Sequence, residues 1–458
     1  MTKIGLLGLY LELYDECSPD MRSKVDGFYE KIAVEFESRG FMVLRKPLCR
    51  IAMEFNEAIT EFENKDADVL VTLHLAYSPS LESAKALKKT RLPVFILNTT
   101  PDFFFEVTGG YNAISYNHGI HGVQDMCNLL LRNEKSFEIE TGHWEKSNVI
   151  DRLAEKIKAF CNAKTQKKIR VGIIGSPFKG MGDFAVDFNT LKETLGIETV
   201  ICDYDELKNN IKNIKEEEIN TEIAANEAAF EISINNMELY KTNIKNCLGV
   251  RKWIEGNNLD AFTVNFLDVD SKNGLSSVPF YEASKQMAAG KGYAGEGDVM
   301  TAGLVSALSG LGCETSFTEI FCPDWSQNAL FLSHMGEMNI NLCREKPILH
   351  EKDYIFSDVE VNPIVFSGEF KPGKALLVNL SPSISGYTLI IAQVEMFSCD
   401  KVKDGVRGWL RPEMSISKFL SEYSRYGGTH HSALVYGDHL DKIKSFALEN
   451  NIRTLILE

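Results

Sequence analysis

The chain has 458 residues, with 64 acidic against 49 basic side chains, a formal charge of −15, 44% hydrophobic and 25% charged content. That length predicts two to four domains and that composition a soluble globular protein, while the acidic balance argues against nucleic acid or an anionic membrane as main partner. The ten cysteines form no CxxC pair, which speaks against a zinc ribbon or a thioredoxin-type site and for reduced core thiols.

The opening MTKIGLLGLY is apolar but soon meets Glu12, Asp15 and Glu16, without the basic start or cleavage pattern of a signal peptide. No run approaches the roughly 20 apolar residues of a membrane span, so a cytoplasmic protein is expected. KIGLLGLY reads as a buried strand, and residues 20–38 carry Met21, Val25, Phe28, Ile32 and Val34 at helical spacing. FMVLRKPL, a helical stretch at 51–64, DVLVTLHL, LESAKALKK and PVFILNTT follow. Four apolar runs separated by helices describe a parallel α/β sheet, whose ligands approach the carboxyl ends of the strands. A charged helix at 148–163 leads to NAKTQKK, read as a linker. RVGIIGSPF, ETVICDY and DAFTVNF then read as strands of a second α/β domain, with one long helical stretch at about 205–256 between them. After residue 312 the texture turns β-rich: TSFTEIF, ALFLSHM, NPIVFSGEF, KALLVNLS and YTLIIAQVEMF predict antiparallel hairpins. The expected architecture is α/β, with two doubly wound parallel-sheet domains at 1–168 and 169–311 and an antiparallel β-barrel domain at 312–458.

Three places could carry chemistry. GYAGEGD at 292–298 is expected to join two helices; it reads either as a capping loop with Asp298 at the N-cap or as a tight turn presenting Glu296. It lacks the spacing and the preceding strand of a dinucleotide fingerprint. A hairpin centred near Ser326–Gln327 would set Glu319 opposite His334, close enough to share a cation, whereas a slip by one residue would part them. His430-His431 follows a glycine pair at the entrance to a strand, where sites are often built. Carboxylates with an imidazole or two suit Mn²⁺, Co²⁺ or Mg²⁺ better than a structural Zn²⁺.

In their order and at their intervals, GYAGEGDVMTAGL, TSFTEIF, LFLSHMGE and GGTHHS resemble the metal-site motifs of the L-arabinose isomerases, within the L-fucose/L-arabinose isomerase superfamily. Those enzymes carry an AEGDWKTA-like loop, an SFMEDY-like strand, an SHMLE-like segment and a GGAHHT-like segment. TGHWEK at 141–146, LHLAYSP at 73–79, NFLDVD at 265–270 and CREKPIL at 343–349 extend the resemblance over most of the chain. It implies that Glu296, Glu319, His334 and His431 ligate one divalent cation, with His431 chosen over His430 because the second histidine of the pair matches. It further implies that Glu296 and Glu319 act as acid and base, and that Met181, Phe266 and His121 line a sugar pocket. His118 stands near a family glutamine and Tyr14 near the tyrosine of a first-strand motif, and both are counted with the substrate-binding residues. The implied assembly is a hexamer or another trimer-based homo-oligomer, with a neighbour's N-terminal domain completing each site.

The sequence also departs from the family. Leu11-Glu12-Leu13-Tyr14 replaces Gln-His-Leu-Tyr; Val299, Ile320 and Gly336 replace a tryptophan, an aspartate and a leucine beside the ligands. The expected activity is therefore that of a divergent, Mn²⁺-type aldose–ketose isomerase. It would act on a pentose or related sugar (L-arabinose/L-ribulose-like) by proton transfer between C1 and C2 through an enediol, with a hydride shift as the other route. The alternatives are a non-catalytic sugar-binding or regulatory protein, or a metal-dependent sugar epimerase on the same scaffold.

Overall fold

The computed structural model of the chain describes residues 1–105, 110–163, 168–270, 272–384, 386–398 and 405–458. Most of the expected linker at 162–168, and Cys399, lie outside the described residues. The chain divides into two compact units, one of residues 1–165 and 444–453, the other of 166–443 and 454–458.

In the first unit, β1 (Lys3–Leu9), β2 (Met42–Arg45), β3 (Val69–His74), β4 (Val94–Asn98) and β5 (Phe137–Thr141) form one sheet in the order β2-β1-β3-β4-β5. Every pairing is parallel. The strands alternate between two cores: Ile4 and Leu6 face one, Leu7 and Leu9 the other. Helices Pro19–Ser38 and Val149–Ala163 cover the first face; Ala52–Asn64, Ser80–Lys89 and Gly119–Arg132 cover the second. This is the doubly wound arrangement. β5 is an additional strand, hidden in the sequence because FEIET alternates apolar with charged residues at the sheet edge.

The second unit begins with another parallel sheet. β6 (Ile169–Ile174), β7 (Ile197–Ile201), β8 (Glu231–Ser233), β9 (Ala261–Val264) and β10 (Gly292–Gly295) follow in chain order, and four of them pair as β10-β9-β6-β7. The expected long helix at 205–256 is three helices, Tyr204–Lys212, Glu216–Ala229 and Met237–Gly256, with β8 between the last two. Arg251 ties the last two of them to helix Phe280–Ala288 by bonding Glu222 and the fully buried Glu282 at 2.8–2.9 Å, which compensates both carboxylates. GYAG differs from expectation: it is the strand β10, unannounced because Gly, Tyr, Ala and Gly lack a β-branched signal.

The remaining strands are β11 (Glu314–Asp324), β12 (Ala329–His334), β13 (Ile348–Glu351), β14 (Ile364–Glu369), β15 (Gly373–Ser383), β16 (Gly386–Phe397), β17 (Val406–Pro412), β18 (His431–Tyr436) and β19 (Arg453–Leu457). Six of them close a barrel, β16-β15-β18-β11-β12-β17 and back to β16, antiparallel at every step. Closure leaves these six strands no open edge. Leu332, Leu377, Leu434, Ala392 and Leu410 are among the residues filling its apolar core. β14, β13 and β8 extend the sheet outward from β17. No described helix is long and apolar enough to cross a membrane.

Helix Val299–Gly310 packs so tightly on β10 that a Cβ at Gly292 would lie 2.1 Å from the Ala302 carbonyl oxygen and 2.6 Å from the Ser306 nitrogen. The two nearest atoms are backbone and the third, the Ala261 Cβ at 2.8 Å, has no rotamer by which to move away, so nothing there can yield. Gly292→Ala is expected to destabilise the protein by about 1–3 kcal/mol or more, measured as a lowered urea midpoint at unchanged slope.

Candidate metal centre

Three loops meet around one point of the second unit. β6 ends at Ile174 and runs into residues 175–183; β9 ends in the turn Phe266–Asp268; β10 ends at Gly295 and delivers Glu296. These are the carboxyl ends of a parallel sheet, where ligand sites form. Glu296 takes the left-handed conformation, φ 63°, costly for a non-glycine residue. The turn is held from two sides: the Glu296 carbonyl accepts from the Phe178 N–H at 2.9 Å, and Asp298 caps the next helix by accepting from the Thr301 N–H at 2.8 Å.

The barrel brings the other groups. β11 pairs with β18 so that Glu319 lies directly across from His431. The turn between β11 and β12 lies where the sequence places it, but a bulge at Phe321 shifts the register and sets Glu319 opposite Ser333, not His334. His334 ends its strand, and its ring still reaches Glu319. The Nε2 atoms of His334 and His431 stand 3.1 and 2.9 Å from the same Glu319 oxygen, Oε1. Glu296 Oε2 is 3.5 Å from the Nε2 atoms of both His430 and His431. The four residues named from sequence as ligands are thus gathered at one place. His430 joins them: donor atoms of Glu296, Glu319, His430 and His431 all lie within 4.8 Å of one another. Asp183 holds His430 through Nδ1 at 2.6 Å and through its backbone N–H at 2.9 Å.

Two further carboxylates set the imidazoles. Asp298 Oδ2 is 2.9 Å from His431 Nδ1, and Glu337 Oε2 is 2.6 Å from His334 Nδ1. A carboxylate at Nδ1 fixes the N–H there and turns the Nε2 lone pair inward, the second-layer support found behind metal-bound histidines. Glu337 is itself held by the Tyr293 hydroxyl and the Gly336 N–H, each at 2.9 Å. Phe317 packs edge-on at 4.9 Å from both rings, and Phe184 stacks on His431 at 5.1 Å. Sequence reading missed Glu337, and took Asp298 only as a cap. The signal was there: an acid three residues after His334 and another two after Glu296.

The electrostatics demand positive charge. Burial pushes the Glu296 carboxyl up, but His430 and His431 outweigh it and bring it to about 2. Burial likewise opposes ionisation of Glu319, and His334 and His431 hold it far below the carboxylate range. Burial pulls His334 down, yet Glu337 and Glu319 lift it to about 10. His431 is raised well above its ordinary value against burial by Asp298, Glu296 and Glu319. Four carboxylates around two imidazoles need either two extra protons or one divalent cation. Glu296 Oε2 and His431 Nε2 are buried without a well-aligned hydrogen bond, although His431 Nε2 lies 2.9 Å from Glu319 Oε1 and 3.5 Å from Glu296 Oε2. Poorly satisfied atoms of this kind, converging with hard oxygen and borderline nitrogen ligands, fit a divalent ion.

Of the other residues singled out from sequence, Met181 lies half-buried in the 175–183 loop, its N–H bonded to the Phe178 carbonyl at 3.2 Å. Phe266 packs on Phe178 at 5.7 Å. Tyr14, His118 and His121 belong to the first unit. Tyr14 is buried against Tyr10, and His118 Nε2 meets His121 Nδ1 at 2.9 Å beside Tyr77.

The ends of a parallel sheet facing a closed barrel thus bring oriented histidines and carboxylates together in a cluster that could hold a metal ion. The sequence matches the L-arabinose isomerase central domain over residues 188–313 and the L-arabinose isomerase C-terminal domain over 314–453. It is 22% identical to an L-arabinose isomerase of Saccharophagus degradans, with 93% of this chain and 87% of that one aligned. It is also 22% identical to those of Shouchella clausii (98% and 92%) and Thermotoga neapolitana (91% and 86%). The chain belongs to the L-arabinose isomerase family as a divergent member, and so to the aldose–ketose isomerases.

Asp298→Asn keeps an oxygen for the helix cap but removes the acceptor from His431. It is expected to weaken Mn²⁺ binding about 10–100-fold and, because His431 loses a buried charged partner, to lower the urea midpoint as well, as read by calorimetric titration and denaturation of the same sample.

Proposed function

We propose that the protein is a metal-dependent aldose–ketose isomerase acting on a pentose or related sugar, L-arabinose/L-ribulose-like. Mn²⁺ is the preferred ion in this reading, with Co²⁺ or Mg²⁺ as substitutes. The observation that supports it most strongly is the convergence of Glu296, Glu319, His334 and His431, with each of these two imidazoles backed by its own carboxylate. A sugar-binding protein without chemistry has no use for imidazoles oriented this way.

In this reading Glu296, Glu319, His334 and His431 hold the cation. When bound, it supplies Lewis-acid stabilisation of negative charge developing on the sugar oxygens. The chain's own residues do the rest. One of the two glutamates removes the C2 proton of the aldose and returns a proton to C1; the other relays the hydroxyl proton from O2 to O1 through the enediol. The loop carrying Met181 and the ring of Phe266 form the sugar pocket at the sheet edge. Tyr14, His118 and His121 complete it from the first unit of a neighbouring copy, in a hexamer or another trimer-based homo-oligomer. The compartment proposed is the cytoplasm.

The pocket favours another sugar over L-arabinose. Val299 is fully buried and offers no hydrogen bond. A Cβ at Gly336 would meet Val365 at 2.5 Å, so the larger residue usual in the family has no room here. Ile320, where the family has an aspartate, takes a polar group away beside Glu319, which selects against a hydroxyl that was bonded there. With Mn²⁺ fixed, kcat/KM across a panel of aldoses is expected to place L-arabinose below at least one other aldose. L-arabinose best by tenfold, about 1.4 kcal/mol of transition-state preference, overturns this specificity. Glu296→Gln is expected to lower kcat at least about 100-fold on the best substrate.

A further inference from the structure

Tyr354 stands between β13 and β14 and is 7% exposed. Its ring is fixed edge-on against Phe266 at 6.3 Å and Phe280 at 5.6 Å. Phe266 packs in turn on Phe178, so Phe178, Phe266 and Tyr354 make one aromatic wall. The wall joins the cluster at one end, where the Phe178 N–H bonds the Glu296 carbonyl. At the other end, burial and the charges of Glu337 and Glu296 push the Tyr354 phenol up, against a downward pull from Ser357.

The segment is pre-organised. Asn362 accepts from the Tyr354 N–H at 3.3 Å and donates to Glu351 at 3.1 Å, while its carbonyl accepts from Asn243 at 2.9 Å. Yet neither the Tyr354 nor the Ser357 hydroxyl makes a well-formed hydrogen bond, the weak pull of Ser357 on the phenol being the only contact between them, and both oxygens are buried. Buried hydroxyls are normally satisfied, because leaving one unpaired destabilises the fold. Phenylalanine would build the same wall without that penalty. A rigid aromatic wall ending in two poorly bonded hydroxyls, within reach of the charges of Glu337 and Glu296, is suited to a ligand that brings hydroxyls of its own.

We infer that the Tyr354 hydroxyl, with Ser357 next to it, is a specificity-determining hydrogen-bond partner for a sugar hydroxyl beyond C2. This rests on the isomerase reading, in which Glu296 and Glu319 serve C1 and C2 and the wall runs on past them. A pocket built to bond a hydroxyl discriminates against a substrate lacking it, because its own groups are then left unpaired.

The test compares wild type with Tyr354→Phe, Mn²⁺-loaded, on a pentose panel and on the monodeoxy analogues of the best substrate. Mn²⁺ affinity and the urea midpoint are measured alongside. Tyr354→Phe is expected to lower kcat/KM about tenfold on the best aldose and to leave Mn²⁺ affinity within about twofold. On the one deoxy analogue that lacks the bonded hydroxyl it should cost nothing more, the non-additivity that marks a direct contact. Unchanged kcat/KM on every sugar overturns the inference and leaves the isomerase reading standing. If wild type converts no aldose, that reading fails, and calorimetry with pentitols decides the inference separately. Tenfold weaker pentitol binding by Tyr354→Phe supports it; equal binding, or no pentitol binding by wild type, overturns it.

Discussion

One oxygen of Glu319 lies within hydrogen-bond range of two imidazoles, and the rest of the centre follows from that. Asp298, His431, Glu319, His334 and Glu337 form an unbroken polar chain with Glu319 in the middle. Buried carboxylates are costly unless they find a compensating charge or donors, and here each is shared with a histidine. The barrel fixes this chain through strand register: β11 and β18 place Glu319 and His431 face to face. The sheet then brings Glu296 to the same point on a strained turn. Neither half of the second unit holds the full donor set by itself.

Much of this was legible in the sequence, and what was not has physical causes. Strands with β-branched residues between helices announced the parallel sheets, and the density of apolar runs after residue 312 announced the barrel. The ligand motifs stood out because glycines and paired histidines are conspicuous. Register was not legible, since one extra residue at Phe321 decides which side chain faces Glu319 and leaves no compositional mark. β10 was hidden because its residues were chosen for close helix approach instead of strand propensity, as Gly292 shows. Glu337 was passed over because a single buried acid looks in sequence like any surface glutamate.

The divergence is uneven in a way the structure explains. At 22% identity most aligned positions differ from such a relative, and changes in a core are tolerated where volume is conserved. Gly336 illustrates the constraint: a Cβ there would meet Val365 at 2.5 Å, so the two positions share one space. The polar chain around Glu319 is less free to change, because removing one charged member leaves its buried neighbour uncompensated.

The bond between the Phe178 N–H and the Glu296 carbonyl has one more consequence. It makes the loop that starts the aromatic wall and the turn that carries a proposed ligand a single mechanical element. A cation that settles the Glu296 turn also settles Phe178, and through it Phe266. Occupancy of the two ligands is then thermodynamically linked, and linkage is reciprocal: whatever factor the ion adds to sugar affinity, the sugar must add to ion affinity.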